Sequence, residues 1–120
     1  MILLKNATVI NADGMKESDV LIDGDRIVKV EKNISEPLAT TLDCDGKLVF
    51  PGFIDMHCHL RDPGQTHKET LETGMRAAVA GGYSAVCCMP NTEPAIDNAP
   101  LCEYIVTRSK ALGGARIYPI

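Results

Sequence analysis

The chain has 120 residues, enough for one ordinary domain or for pieces of two, and 45% of them are apolar. It has no Trp, 4% aromatics and a net charge of −4 with both signs interspersed, which offers no electrostatic footprint for nucleic acid or an anionic membrane. No apolar run approaches a membrane span, and the start Met1-Ile-Leu-Leu-Lys5 lacks the features of a secretory signal, so the expected compartment is the cytoplasm. The five cysteines are odd in number and never spaced Cys-x-x-Cys, as expected of reduced, structural thiols.

Residues 2–50 read as short strands joined by tight turns. The stretch 2–10 is apolar and β-branched, and Asn11-Ala-Asp-Gly14 turns the chain. Strands at 19–22 and 26–30 flank Asp23-Gly24-Asp25, where Gly accepts positive φ. A polar loop with Pro37 follows, and strands at 41–44 and 47–50 flank a second Asp-Gly at 45–46. Successive strands without a helix signal between them predict an antiparallel sheet unit.

After residue 50 the pattern changes to strand, helix, strand, helix, strand. Pro51-Gly-Phe-Ile-Asp-Met-His-Cys-His-Leu-Arg-Asp-Pro-Gly64 is an apolar strand entered through Pro-Gly and left through Asp-Pro-Gly. Alternation puts His57 and His59 on one face, with Asp55 one step deeper, and Cys58 on the other. Thr66-His-Lys-Glu69 reads as a capping box, followed by Leu71, Met75, Ala78 and Val79 at helical spacing up to Gly81-Gly82. The stretch 84–89 is a strand apolar on both faces, as in a buried parallel sheet. Asp97 or Asn98 caps a second helix, which presents Leu101, Ile105 and Leu112 and stops at Gly113-Gly114. Residues 116–120 form a third strand.

Phe53 lies 32 residues before Ala85, and Ala85 lies 31 before Arg116. Eight βα units of this length make a (β/α)8 barrel of about 250 residues. The expected fold class is therefore α/β: an N-terminal antiparallel β unit, then two βα units and the third strand of an incomplete barrel. Reactive groups of such barrels sit at the C-terminal strand ends, which is where His57, His59 and Asn91 fall.

Two imidazoles on one face can share a metal ion, or they can be solvated loop residues. Arg61 can grip a carboxylate through two parallel hydrogen bonds, or it can pair with Asp62 or Glu93. Asn91 can donate its amide, or shape a turn before Thr92. Asp55 can orient an imidazole from behind, or be a buried polar residue satisfied by its neighbours. His67 is expected exposed, and Asp62-Pro-Gly64 is read as a turn without chemistry of its own.

With its flanks, the His57-Cys-His59 strand resembles the first barrel strand of the amidohydrolase superfamily. His59-Leu-Arg-Asp-Pro-Gly64, followed by Met89-Pro-Asn-Thr92, resembles the type I dihydroorotases in particular, and the likeness runs over nearly the whole chain. It implies that 1–50 belongs to an N-terminal β-sandwich and that 51–120 begins a metal-dependent hydrolase barrel. It implies His57 and His59 as ligands of one or two Zn²⁺ ions, His59, Arg61 and Asn91 as substrate-binding residues, and Arg61 with Asn91 as the contacts for the substrate carboxylate. The implied reaction is reversible cyclisation of N-carbamoyl-L-aspartate to dihydroorotate in pyrimidine synthesis, with the metal activating water and polarising the carbonyl under attack.

The proton-shuttling aspartate, the further histidines and, in some members, a modified bridging lysine are expected beyond Ile120, so no catalytic acid or base is assigned here. The 120 residues alone are expected to be inactive. A homo-oligomer, with a possible pyrimidine-pathway enzyme as partner, is the expected assembly. Two alternatives remain. One is another cyclic amidase of allantoinase or hydantoinase type, which typically lacks an Arg after His-Leu. The other is a non-catalytic assembly partner, which has no reason to keep both histidines and Arg61.

Overall fold

Strand β1 (Ile2–Asn11) is the spine of the first of two units into which the chain divides, Met1–Pro51 and Gly52–Ile120. The computed structural model describes all residues, 1–120. β1 pairs antiparallel with β2 (Gly14–Asp23), which pairs antiparallel with β3 (Arg26–Glu31) across a turn where Gly24 has φ +56°. That hairpin is the one predicted from Asp-Gly.

The other edge of β1 differs from the antiparallel expectation. β4 (Thr40–Asp43) and β5 (Leu48–Val49) both pair with it in parallel, so the sheet is mixed. Residues 32–39 return along the sheet after β3, burying Ile34 against Leu3 and Leu21. The second Asp-Gly then makes a jog and not a hairpin. Cys44 N donates to Lys5 O at 2.8 Å and Thr8 N to Lys47 O at 3.1 Å, holding both short strands along one edge.

Asp19 fastens this crossing. Only 4% exposed, its carboxylate accepts the Asn6 and Ile34 N–H groups at 2.9 Å each and pairs with Lys5 Nζ at 3.0 Å. Burial pushes its pKa up, but the bonds from Asn6, Lys5 and Ile34 and the Lys5 charge outweigh burial and hold it below the ordinary value. A depressed folded pKa makes this contribution fully present above the ordinary carboxylate pKa of 3.8 and lost as pH falls through the folded value.

In the second unit β6 (Phe53–Cys58), β7 (Tyr83–Cys88) and β8 (Arg116–Pro119) form a parallel sheet in sequence order. Helices α1 (Leu71–Ala80) and α2 (Ala99–Leu112) make the crossovers. Leu71, Met75 and Ile105 pack against Val86, Cys88 and Ile117, giving the unit a core on one face of the sheet. Ser109 of α2 accepts the Ile117 N–H at 3.0 Å, tying the helix to β8. No helix is long and apolar enough to cross a membrane.

The first helix starts later than predicted. Its capping box is Thr70 with Thr73, not Thr66 with Glu69: Thr70 Oγ1 accepts Thr73 N at 3.1 Å, and Thr73 Oγ1 accepts Thr70 N at 3.1 Å. Residues after Arg61 are spent in turns, with Gln65 N on Arg61 O and Lys68 N on Gln65 O, both at 2.9 Å. Glu69 accepts the Thr73 hydroxyl instead of reaching back to Thr66. Asn98 caps α2 by accepting Leu101 N at 3.1 Å.

Asp19→Ala is expected to destabilise the first unit by about 1–3 kcal/mol for each buried N–H left without an acceptor. Urea unfolding should also show that Asp19→Asn flattens the loss of stability as pH falls below 3.8. An unchanged acid profile would remove Asp19 from the anchor role.

Candidate metal and carboxylate site

The parallel sheet brings the ends of β6 and β7 to one edge, and the ladder continues past them through Met89 N on Cys58 O at 2.9 Å. The loops carrying His59 to Gly64 and Pro90 to Glu93 therefore leave side by side. His57 and His59 are both exposed, with ring centroids 5.3 Å apart in an edge-on contact. Cys58 is half-buried on the helix side, and burial first, then the charges of Asp55 and Cys87, push its thiol up to about 11.

Asp55 bonds neither imidazole. It pairs with Val86 while Cys58 pairs with Cys88, so three steps along β6 match two along β7. This bulge resets the alternation. Met56 and His57 are consecutively exposed, and Asp55 lines with Cys58, Leu60, Gly74, Ala78 and Val86 a cavity of about 220 Å³ under α1. Its carboxylate accepts the His57 backbone N–H at 2.9 Å, so it holds the bulge and not an imidazole.

Asn91 meets His59 directly, with Oδ1 2.9 Å from Nδ1. A carbonyl oxygen only accepts, so this contact suits the His59 tautomer that carries a proton on Nδ1, the form whose Nε2 can bind a metal. The Asn91 amide nitrogen remains available as a donor. The two imidazoles fit a zinc centre as two of its three or four donors, and no group of three His, Cys, Asp or Glu gathers anywhere in the chain.

Arg61 follows Leu60, a 6% exposed anchor, and has φ +58°, a left-handed conformation rare for a bulky residue. The ion pairs are Lys5–Asp19, Arg26–Asp25, Lys29–Glu31, Lys32–Glu17 and Arg76–Glu72, so Arg61 pairs with neither Asp62 nor Glu93. Asp62 is engaged elsewhere, accepting the Tyr104 hydroxyl at 3.1 Å. Gly64, at φ +85°, lies so close to Glu93 that a Cβ would fall 1.6 Å from its carbonyl oxygen. Glu93 N donates to Pro63 O at 3.3 Å, closing the two loops on each other. His67 is exposed in the turn before α1. Tyr104 had no local signal, since its partner lies 42 residues away in the chain.

A family model described as dihydro-orotase-like matches residues 46–120. The dihydroorotase of Aquifex aeolicus is 48% identical over 98% of this chain, and that of a Sulfurihydrogenibium species is 46% identical over 99%. The chain spans only 28% and 29% of these two relatives. Among solved structures, the L-hydantoinase of Arthrobacter aurescens superposes with a TM-score of 0.77 at 26% identity, over 92% of this chain and 24% of its own. The D-hydantoinase of a Thermus species gives 0.70 at 35% identity, with the same two coverages. Both histidines and both of the clasped loops lie inside the family match, and the chain belongs to the dihydro-orotase-like family.

Proposed function

We propose that this chain supplies part of a metal-dependent cyclic amidase that interconverts N-carbamoyl-L-aspartate and dihydroorotate in pyrimidine biosynthesis. In ring closure the carbamoyl nitrogen forms a C–N bond to the side-chain carboxyl carbon and water leaves; the reverse is amide hydrolysis. The α-carboxylate takes no part and must be held. His57 and His59 would hold one or two Zn²⁺ ions with donors from outside these residues. Zinc supplies Lewis acidity, lowering the pKa of water toward neutrality and polarising the carbonyl under attack.

The observation that carries this reading is the His59–Asn91 bond, which joins the two halves of the task. Through Oδ1, Asn91 orients a metal-binding imidazole; through its amide it can donate to the carboxylate beside the guanidinium of Arg61. An Arg without an ion pair in the adjoining loop supplies the complementary charge. The general acid–base aspartate would come from elsewhere in the protein.

The finer architecture follows the same reading. The three parallel strands open a (β/α)8 barrel, since strand order runs with the sequence and both helices pack on one face. Residues 1–50 are part of a β-sandwich, and the exposed Ile27, Val28 and Val30 of β3 mark a surface for further packing. A cytoplasmic homo-oligomer, with a possible pyrimidine-pathway enzyme as partner, completes the proposal. A hydantoinase-type activity is the second reading, favoured by the fold shared with the two hydantoinases. Turnover of a cyclic amide lacking a ring carboxylate, unaffected by Arg61→Lys, would select it.

In the full-length protein His57→Ala is expected to lose zinc and activity together, whereas Cys58→Ala keeps both. Elemental analysis checks this, and zinc loss in the Cys58 variant would place that thiol in the centre. Arg61→Lys keeps the charge but not the fork. It should raise KM for dihydroorotate about ten- to a hundred-fold, the equivalent of about 1.5–3 kcal/mol, at unchanged zinc content. An unchanged KM would remove Arg61 from the carboxylate site.

A further inference from the structure

An unpaired guanidinium next to a carboxylate in sequence needs an explanation. Asp62 directly follows Arg61, and nothing in the covalent chain prevents the two side chains from neutralising each other. Asp62 Oδ1 accepts the Tyr104 hydroxyl at 3.1 Å, on the helix side of the loop, while Arg61 stays out of every ion pair. The raised pKa of Tyr104, from burial first and then the charge and hydrogen bond of Asp62, accords with this contact.

We propose that Tyr104 is a positioning residue for substrate recognition: by holding Asp62 against α2 it keeps the Arg61 guanidinium open for the substrate carboxylate. The inference rests on the reading of Arg61 given above. The surrounding backbone allows the device to work. Arg61 sits at φ +58°, and the next residues are clasped to the neighbouring loop by Glu93 N on Pro63 O and by the close approach of Gly64 to the Glu93 carbonyl. The loop path is therefore set independently of Tyr104, and the side-chain direction of Asp62 is what Tyr104 controls. Tyr104 is 43% exposed and lies outside the buried core, so losing its hydroxyl leaves the packing of α2 in place.

The test is a set of variants of the full-length, zinc-loaded protein, assayed with dihydroorotate. Tyr104→Phe should raise KM about three- to tenfold with kcat within about twofold, the scale of one partly solvated charge interaction. Adding Asp62→Asn to Tyr104→Phe should bring KM back to within about twofold of the parent, because Asn carries no charge to neutralise the guanidinium. A merely structural tyrosine–aspartate clamp would not be rescued this way; the double variant would stay impaired, and that result overturns the inference. So does an unchanged KM in Tyr104→Phe when Arg61→Gln raises it. If Arg61→Gln itself leaves KM unchanged, the carboxylate reading fails and the inference falls with it.

Discussion

The backbone bond from Met89 N to Cys58 O, at 2.9 Å, decides where the chemistry of this chain assembles. It extends the parallel ladder of β6 and β7 beyond the last paired residues and attaches the start of one loop to the residue between two histidines. Everything that follows on both loops inherits that alignment. Asn91 reaches His59, Glu93 reaches Pro63, and Gly64 nests on Glu93 because the two loops depart from one fixed edge. An antiparallel pair would send the two strand ends in opposite directions and separate these residues. The crossover helix is thus part of the site's construction, since only a crossover permits parallel neighbours.

Much of this was legible because it is periodic. The apolar stretch around His57, the helical recurrence of Leu71 and Met75, and the Asn98 cap are local patterns, and the structure has each of them. Three features were not legible, each for a stated reason. The cap is at Thr70 and not Thr66 because turns at Gln65 and Lys68, which no side-chain pattern announces, occupy the residues between. The parallel edge of β1 depends on Ile34 crossing the sheet, a tertiary event governed by buried contacts with Leu3 and Leu21. Asp55 left the histidine face because one extra residue in β6 reset its alternation, and a bulge of one residue leaves no mark in composition.

Two aspartates show how one side chain serves opposite ends. Asp19 is buried and gathers two N–H groups and a lysine, so its charge is fully answered and its loss would be felt in folding. Asp62 is half-buried beside a group that must stay charged, and its bond to Tyr104 withdraws it from that group. The first carboxylate stabilises by pairing with its nearby cation. The second is useful, under the proposed function, because it does not pair.

Under the proposed function, the uncovered face of the second unit's sheet bears on where the remaining metal donors would come from. Helices cover the face formed by Val86, Cys88 and Ile117, while Ile54 and Met56 on β6 remain 63% and 75% exposed. Parallel sheets are stable when both faces are covered, and these apolar groups mark the face that α1 and α2 leave open. In the proposed zinc centre, His57 near the end of β6 and His59 just after it would supply two of the three or four donors that zinc takes. If the sheet curls into a ring, later strands bring their side chains over Ile54 and Met56 and their carboxyl ends around the two imidazoles. One closure then satisfies the apolar face and the metal together. The burial of β6 and the completion of the metal centre would therefore be coupled in folding.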